Sequence, residues 1–285
     1  MIKESLPPYD YILTVTKNCP DIPPTIQELI SQAVTPGHTV IVMIQNGLNI
    51  EKAMFAAFPT NIVLSGVSMI DSHEGVLGTI HHEEHDLLFL GAFHNPSFPA
   101  ETEIVAAKKF IEIYGAAGKT KVEYQEDVQW GRWRKLIFNA TLNPICAITG
   151  LDDARIRLAP GAVDGLVKPA QKEIWDTAAK LGHRLPDDIM ETMLNMDPMD
   201  LYLKPSMQCD IEKVGFQLPE AKRILILAKG NYMEYEYLVG EPLREAEKAG
   251  VPTPTLKVIY EICKALQWRV METRGLVKIP PKRIL

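Results

Sequence analysis

The spacing of apolar residues changes character near residue 125, and this restricts the fold more than any other feature of the chain. Before that point, short β-branched runs alternate with segments of helical period. Tyr11–Thr16 and Thr39–Ile44 (TVIVMI) have the composition of strands buried on both faces. Thr25–Val34, with Ile26, Leu29, Ile30 and Ala33 at helical spacing, predicts a helix, as does Glu51–Phe58, and Asn61–Met69 predicts a third strand. Gly75–His81 and Asp86–Phe93, separated by polar turn formers, read as a β-hairpin, and 101–114 as a helix. Strand–helix–strand order with short connections predicts parallel pairing through right-handed crossovers. Beyond residue 125, segments 128–149, 160–182, 187–195, 219–249 and 255–273 hold helical period with few strand-like runs. The expectation is an α/β domain over 1–125 and a helical domain over 126–285, joined without a low-complexity linker.

Charge and apolar content narrow the class of partner. A net charge of -6 gives no basic character that would favour nucleic acid or an anionic membrane. The apolar runs stop short of the ~18 residues that suggest a membrane span. Cys19, Cys146, Cys209 and Cys263 lie far apart with no CxxC pair, which indicates neither a zinc ribbon nor a disulfide scaffold. The opening MIKESLPPYD lacks the apolar stretch of a secretory signal. These features predict a cytoplasmic globular protein with no nucleic-acid, membrane or metal partner.

Polar residues in predicted structural positions supply the candidates for chemistry. If Gly131–Pro144 is helical, Lys135, Asn139 and Asn143 fall at i, i+4 and i+8. Four residues advance about 400°, so the three share one face. One ammonium and two carboxamides suit a ligand with a carbonyl, a carboxylate and hydroxyls; a solvated helix face is the competing reading. Gln45-Asn46-Gly47 follows a strand, where a doubly wound sheet opens its ligand crevice, although Asn-Gly also makes ordinary turns. Lys17 holds the equivalent place one strand over, or is an exposed loop lysine. Ser206, after Pro205, reads as a helix cap or a ligand contact. Glu234 and Glu236 point to different sides of a helix, Glu236 towards solvent. Two look-alikes are set aside. Gly115–Thr120 ends like a P-loop, but Ile113 stands where its first glycine is needed, so it reads as a turn after the preceding helix. His81-His82-Glu83-Glu84-His85 lacks HExxH spacing and reads as a solvated hairpin turn.

Five segments together resemble the ketopantoate reductase (2-dehydropantoate 2-reductase) family, in particular its fungal-type members. They are TVTKN at 14–18, IQNGLNIE at 44–51, RWRKLIFNATLNP at 132–144, KPSMQCDI at 204–211 and EYEYLVGEPLREAEKAGVPTPTL at 234–256. The resemblance implies a Rossmann-type dinucleotide-binding domain followed by an all-helical domain like that of 6-phosphogluconate dehydrogenase. It also implies NADPH-dependent reduction of ketopantoate, or a related 2-keto acid, to pantoate in pantothenate and coenzyme A biosynthesis. By resemblance the catalytic lysine falls on Lys135, the substrate-contacting residues on Asn139, Asn143 and Ser206, and the nicotinamide-side lysine and asparagine on Lys17 and Asn46. The crevice glutamate, grouped with the cofactor side, falls on Glu234. A further asparagine of some members is Asp153 here. The implied partner is a small 2-keto acid, and a homodimer is compatible with the family.

No GxGxxG occurs in the 285 residues. That loop normally holds the dinucleotide pyrophosphate at a helix N-terminus. Aligned on TVTKN, Met1 precedes the fourth strand of such a sheet. The expectation is therefore a partial Rossmann-type domain, an exposed edge at Tyr11–Thr16, impaired NADP binding in this form, and a longer natural product of which Met1 is an internal methionine. Two other readings compete: a degenerate member acting as a binding or interaction protein, and a 6-phosphogluconate- or 3-hydroxyacid-type dehydrogenase. The Lys135/Asn139/Asn143 row together with Pro205-Ser206-Met207 argues against the latter.

Overall fold

A computed structural model describes residues 7–74, 78–82, 85–212 and 231–280. Met1, the beginning of the predicted Gly75–His81 strand, Glu83, Glu84 and the 219–230 part of the fourth helical segment lie outside the described residues. The chain divides into two compact units, Met1–Lys135 and Leu136–Leu285.

The first unit is built on a five-stranded sheet in the order β1-β2-β3-β6-β7. These strands are β1 (Tyr11–Thr14), β2 (Val40–Met43), β3 (Val63–Ser68), β6 (Leu87–Ala92) and β7 (Lys121–Tyr124). β1, β2 and β3 pair in parallel, with α1 (Ile26–Ile30) and α2 (Ile50–Ala57) in the two crossovers. The sheet interior is the apolar cluster of Val42, Leu64, Leu88, Leu90, Ala107 and Phe110. β2 is buried almost throughout, as its VIVM sequence predicts. β1 is buried only in part; it pairs with β2 alone among the described residues, and Leu13 and Val15 stand 42% and 67% exposed. α1 has a capping box between Thr25 and Glu28 but stops well before the predicted Val34. There Ser31 turns its hydroxyl onto the Glu28 carbonyl, at 2.9 Å, and competes with the helix for an acceptor.

The predicted hairpin of Gly75–His81 with Asp86–Phe93 is not formed. Instead β4 (Ser72–Glu74) and β5 (Ile80–His82) make a small two-stranded sheet of their own. β6 runs antiparallel to β3 and parallel to β7. Burial explains the choice. Leu88 and Leu90 bury their side chains in the main core, whereas every residue of β5 is exposed. His81 and His82 accordingly lie in a strand rather than a turn, and no group that could hold a metal ion occurs among the described residues. The helix expected at 101–114 is α3 (Ala100–Gly115), followed by a turn in which Gly118 donates to the Gly115 carbonyl. β7 was not predicted. Its KVEY sequence is a short edge strand with Lys121 and Glu123 paired at 2.7 Å on its outer side, a charged edge that carries little apolar signal.

The second unit is helical, as predicted. α4 (Val128–Asn139) leads into it and is followed by α5 (Leu142–Thr149), α6 (Asp153–Leu158), α7 (Lys168–Lys180), α8 (Ile189–Leu194), α9 (Ser206–Glu212), α10 (Glu241–Ala249) and α11 (Pro254–Thr273). α5 packs on α9 and α11, and α7 on α10 and α11. Glu173 of α7 accepts the Thr255 and Leu256 amides, capping the first turn of α11 with a buried carboxylate. Two π-helical turns, Val163–Val167 and Glu236–Gly240, run directly into α7 and α10.

One close approach makes the first unit testable. A Cβ on Gly91 of β6 would come to 2.0 Å from the Gln125 carbonyl oxygen and 2.7 Å from Val128 Cγ1. Backbone cannot yield as a flexible side chain would, so Gly91→Ala is expected to destabilise the unit by about 1–3 kcal/mol. A urea midpoint unchanged from the parent would refute this.

Candidate active site

In the first unit the candidate residues gather at the carboxyl ends of parallel strands. Lys17 lies three residues past β1 and is exposed; Asn46 lies three past β2 and is half-buried. The loops carrying them are tied together by Gln45. Its side-chain amide donates to the Thr16 carbonyl at 2.7 Å and its oxygen faces the Asn18 amide at 3.5 Å. Residues adjacent in sequence to Lys17 and Asn46 thus hold the two loops side by side.

Lys135 comes to the same place from α4. The helix starts where the Asp127 carboxylate accepts the Trp130 amide, at 2.9 Å. The half-buried Lys135 ammonium then donates to Asn46 Oδ1 at 2.7 Å and to the Ser68 carbonyl, at the end of β3, at 2.5 Å. With its oxygen on Lys135, Asn46 presents its NH2 as donor to anything else that approaches. One turn earlier Arg132, 3% exposed, spreads its guanidinium over three elements. Nε donates to Ser65 Oγ at 2.9 Å, Nη1 to the carbonyls of Gln45 (3.0 Å) and Gly47 (2.8 Å), and Nη2 lies 2.7 Å from Glu51 of α2. Gly47 adopts φ +117°, open to glycine and strained for other residues.

In the second unit Asn139 closes α4 and Asn143 lies in the first turn of α5; both are buried. The continuous helix assumed for Lys135, Asn139 and Asn143 is broken at Ala140–Thr141, so the i, i+4, i+8 row does not hold beyond Asn139. Pro144 has no N–H for the Ala140 carbonyl and its ring crowds that group. The Thr141 hydroxyl, donating to the Ile137 carbonyl at 2.6 Å, steadies the break. Asn143 nevertheless reaches Ser206, the first residue of α9, with Nδ2 3.5 Å from Oγ. Glu234 is buried, 4% exposed, just ahead of the 236–240 π-helical turn. Glu236 is not the solvent-facing residue expected: it accepts from Arg244 at 3.0 Å and from the Tyr260 hydroxyl at 2.8 Å, and Tyr260 is pushed up to about 12, chiefly by burial and then by that carboxylate.

The structure therefore brings Lys135 to Asn46 in one unit and Asn143 to Ser206 in the other. Sequence motifs alone passed over Arg132. The available signal was its place between Val128 and Leu136 on a helix face that is otherwise apolar and buried.

Comparison with known proteins decides the family. The profile described as Ketopantoate reductase PanE/ApbA matches residues 2–95, and its C-terminal counterpart matches 127–215 and 227–267. The chain belongs to the ketopantoate reductase family. It is 32% identical over 295 residues to the uncharacterized protein YDL144C of Saccharomyces cerevisiae, covering 96% of this chain and 76% of that protein. It is 25% identical to a 2-dehydropantoate 2-reductase of a Nostoc species, over 81% of this chain and 66% of the relative. Among solved structures, the 2-dehydropantoate 2-reductase of Methylococcus capsulatus superposes with a TM-score of 0.70 at 28% identity, over 94% of this chain and 77% of that one. An α/β unit of Rossmann-like type followed by a helical unit is the arrangement expected of a ketopantoate reductase.

The Asp153 carboxyl is buried at the start of α6 and 2.5 Å from Arg157. Burial outweighs the arginine, and Asp197 and Asp152 add to it, so the group is pushed up to about 6 from 3.8. A carboxyl raised by folding favours the folded state most when protonated, and that contribution is lost as pH rises through 6. Asp153→Asn does not ionise, so the variant should gain stability relative to the parent between pH 4 and pH 7, on the order of 1–3 kcal/mol. The constant effect of losing the Arg157 pair cancels in this comparison. Urea midpoints of the two proteins that keep a fixed offset across that range would refute it.

Proposed function

We propose that this chain is a nicotinamide-dependent reductase of a 2-keto acid, with ketopantoate as the first substrate to test and Lys135 as the proton donor. The observation that carries the reading is the Lys135 ammonium, half-buried and held between Asn46 Oδ1 and the Ser68 carbonyl where the parallel strands β2 and β3 end. An ammonium so placed is a compact charge that stabilises a developing alkoxide and then transfers a proton to it. Asn139, Asn143 and Ser206 are assigned to the substrate, where carboxamide and hydroxyl groups match a carboxylate and hydroxyls. Glu234 is assigned with the cofactor-side residues.

The residues present fit the nicotinamide end of a dinucleotide. Lys17 and Asn46 lie on adjoining loops beyond strand ends, and the Asn46 NH2 is left as a donor by its bond to Lys135. NADPH, when bound, supplies the hydride. No pyrophosphate-holding residues are assigned, since the 285 residues contain no GxGxxG, and the reading includes weak NADPH binding by this form. A cytoplasmic setting and a place in pantothenate and coenzyme A synthesis go with the substrate assignment.

NADPH titration and steady-state assays with a panel of 2-keto acids test the proposal. The expected result is ketopantoate reduction at saturating NADPH, with a Kd for NADPH above the micromolar range. Lys135→Ala should lower kcat by about 100-fold or more. Turnover that survives in Lys135→Ala removes the proton-donor assignment. Failure to reduce any 2-keto acid at millimolar NADPH removes the reductase reading in favour of a binding protein.

A further inference from the structure

The buried Arg132 is not accounted for by stability. Glu51 is fully buried and Arg132 is 3% exposed, and withdrawing such a pair from water costs about as much as the pairing returns. Neither Glu51 oxygen nor Arg132 Nη2 has hydrogen-bond geometry with a described residue, so their 2.7 Å contact supplies charge neutralisation rather than direction. What the guanidinium does that an apolar pair cannot is hold two carbonyls at once. The carbonyls of Gln45 and Gly47 belong to the residues flanking Asn46, so Arg132 Nη1 fixes the backbone on both sides of it. The fork is anchored to β3 through Ser65 and is charge-balanced by α2 through Glu51. Arg132 and Lys135 are three residues apart on α4 and therefore share a face. One cation sets the backbone that aims Asn46, and the other receives the Asn46 oxygen at 2.7 Å.

We propose that Arg132 is a positioning residue: by clamping the carbonyls on either side of Asn46 it fixes that side chain and, through it, the place of the Lys135 ammonium. The catalytic consequence rests on the reading of Lys135 as proton donor, but the positioning itself does not.

Competitive acetylation of the 285-residue chain, read lysine by lysine by mass spectrometry, tests the positioning without any turnover. Two variants are compared with the parent. Arg132→Lys keeps a charge but loses the fork. The double variant Arg132→Met with Glu51→Met replaces both buried charges by apolar groups, the change that such pairs tolerate best. In both, the acetylation rate of Lys135 is expected to rise at least about fivefold relative to Lys168 and Lys172 of the second unit. A merely structural role would raise the Lys135 rate only as far as the first unit unfolds, so the rise is read in variants whose β2 and β3 amides exchange hydrogen no faster than the parent's. If the Arg132 variants do not fold, Ser65→Ala, which removes only the Nε anchor, should raise the Lys135 rate about twofold or more. An unchanged Lys135 rate in a folded variant overturns the proposal. In parallel assays kcat for the 2-keto acid should fall at least tenfold with KM within twofold, and a KM increase at constant kcat overturns the catalytic consequence. A parent that turns over no 2-keto acid removes the catalytic consequence alone, and the acetylation result still decides the positioning.

Discussion

Two cations on one face of α4 hold the loops beyond β2 and β3 of the first unit. Chain that leaves a strand end leaves the ladder as well, so the polar backbone groups of the loops beyond must find partners of their own. Here α4 supplies them. Arg132 takes the Gln45 and Gly47 carbonyls and Ser65 Oγ, and Lys135 takes the Ser68 carbonyl and the Asn46 side chain. The ends of β2 and β3 are thereby fixed to a rigid helix. Gln45 extends the arrangement to the end of β1 by holding the Thr16 carbonyl. Side chains on such a frame would lose little conformational freedom on binding a ligand, which is the physical meaning of preorganisation.

The sheet behind that frame shows how much of the fold could be read from the sequence. The β2 strand, buried on both faces, and the apolar period of the second unit are strong signals because each rests on many side chains obeying one rule. Elements that depend on a few residues were read less well. β6 pairs with β3 rather than with its sequence neighbour because Leu88 and Leu90 find the common core, a tertiary preference invisible in local turn signals. β7 is too short and too charged to register as a strand. The break at Ala140–Thr141 follows from Pro144, a residue plainly present, yet its consequence falls on the carbonyl four residues earlier.

The candidate site divides the same way. Lys135 and Asn46 were recognisable as a motif, and the hydrogen bond joining them needed the structure. The contact between Asn143 and Ser206 likewise spans 63 residues, and no spacing rule reaches that far. Glu236 was misjudged because Arg244 and Tyr260 come to it from later helices, supplying partners that turn a solvated charge into a half-buried, paired one. Arg132 was legible only as an anomaly, a cation on an otherwise buried stripe.

What holds the Lys135 ammonium also limits what sequence comparison can reveal about it. Of the acceptors used by the two cations, Gln45, Gly47 and Ser68 contribute main-chain carbonyls, which every residue type carries. Substitutions at Gln45 or Ser68 could leave those contacts intact, whereas Gly47 is constrained by its φ and Asn46 by its side chain. The donors cannot be exchanged so freely. Arg132 serves three elements at once, through Nε, Nη1 and Nη2, and a lysine ammonium cannot reproduce that fork. The identity of the site is therefore concentrated in Arg132, Lys135 and Asn46, and the backbone that they grip carries the rest of the geometry without appearing in any motif.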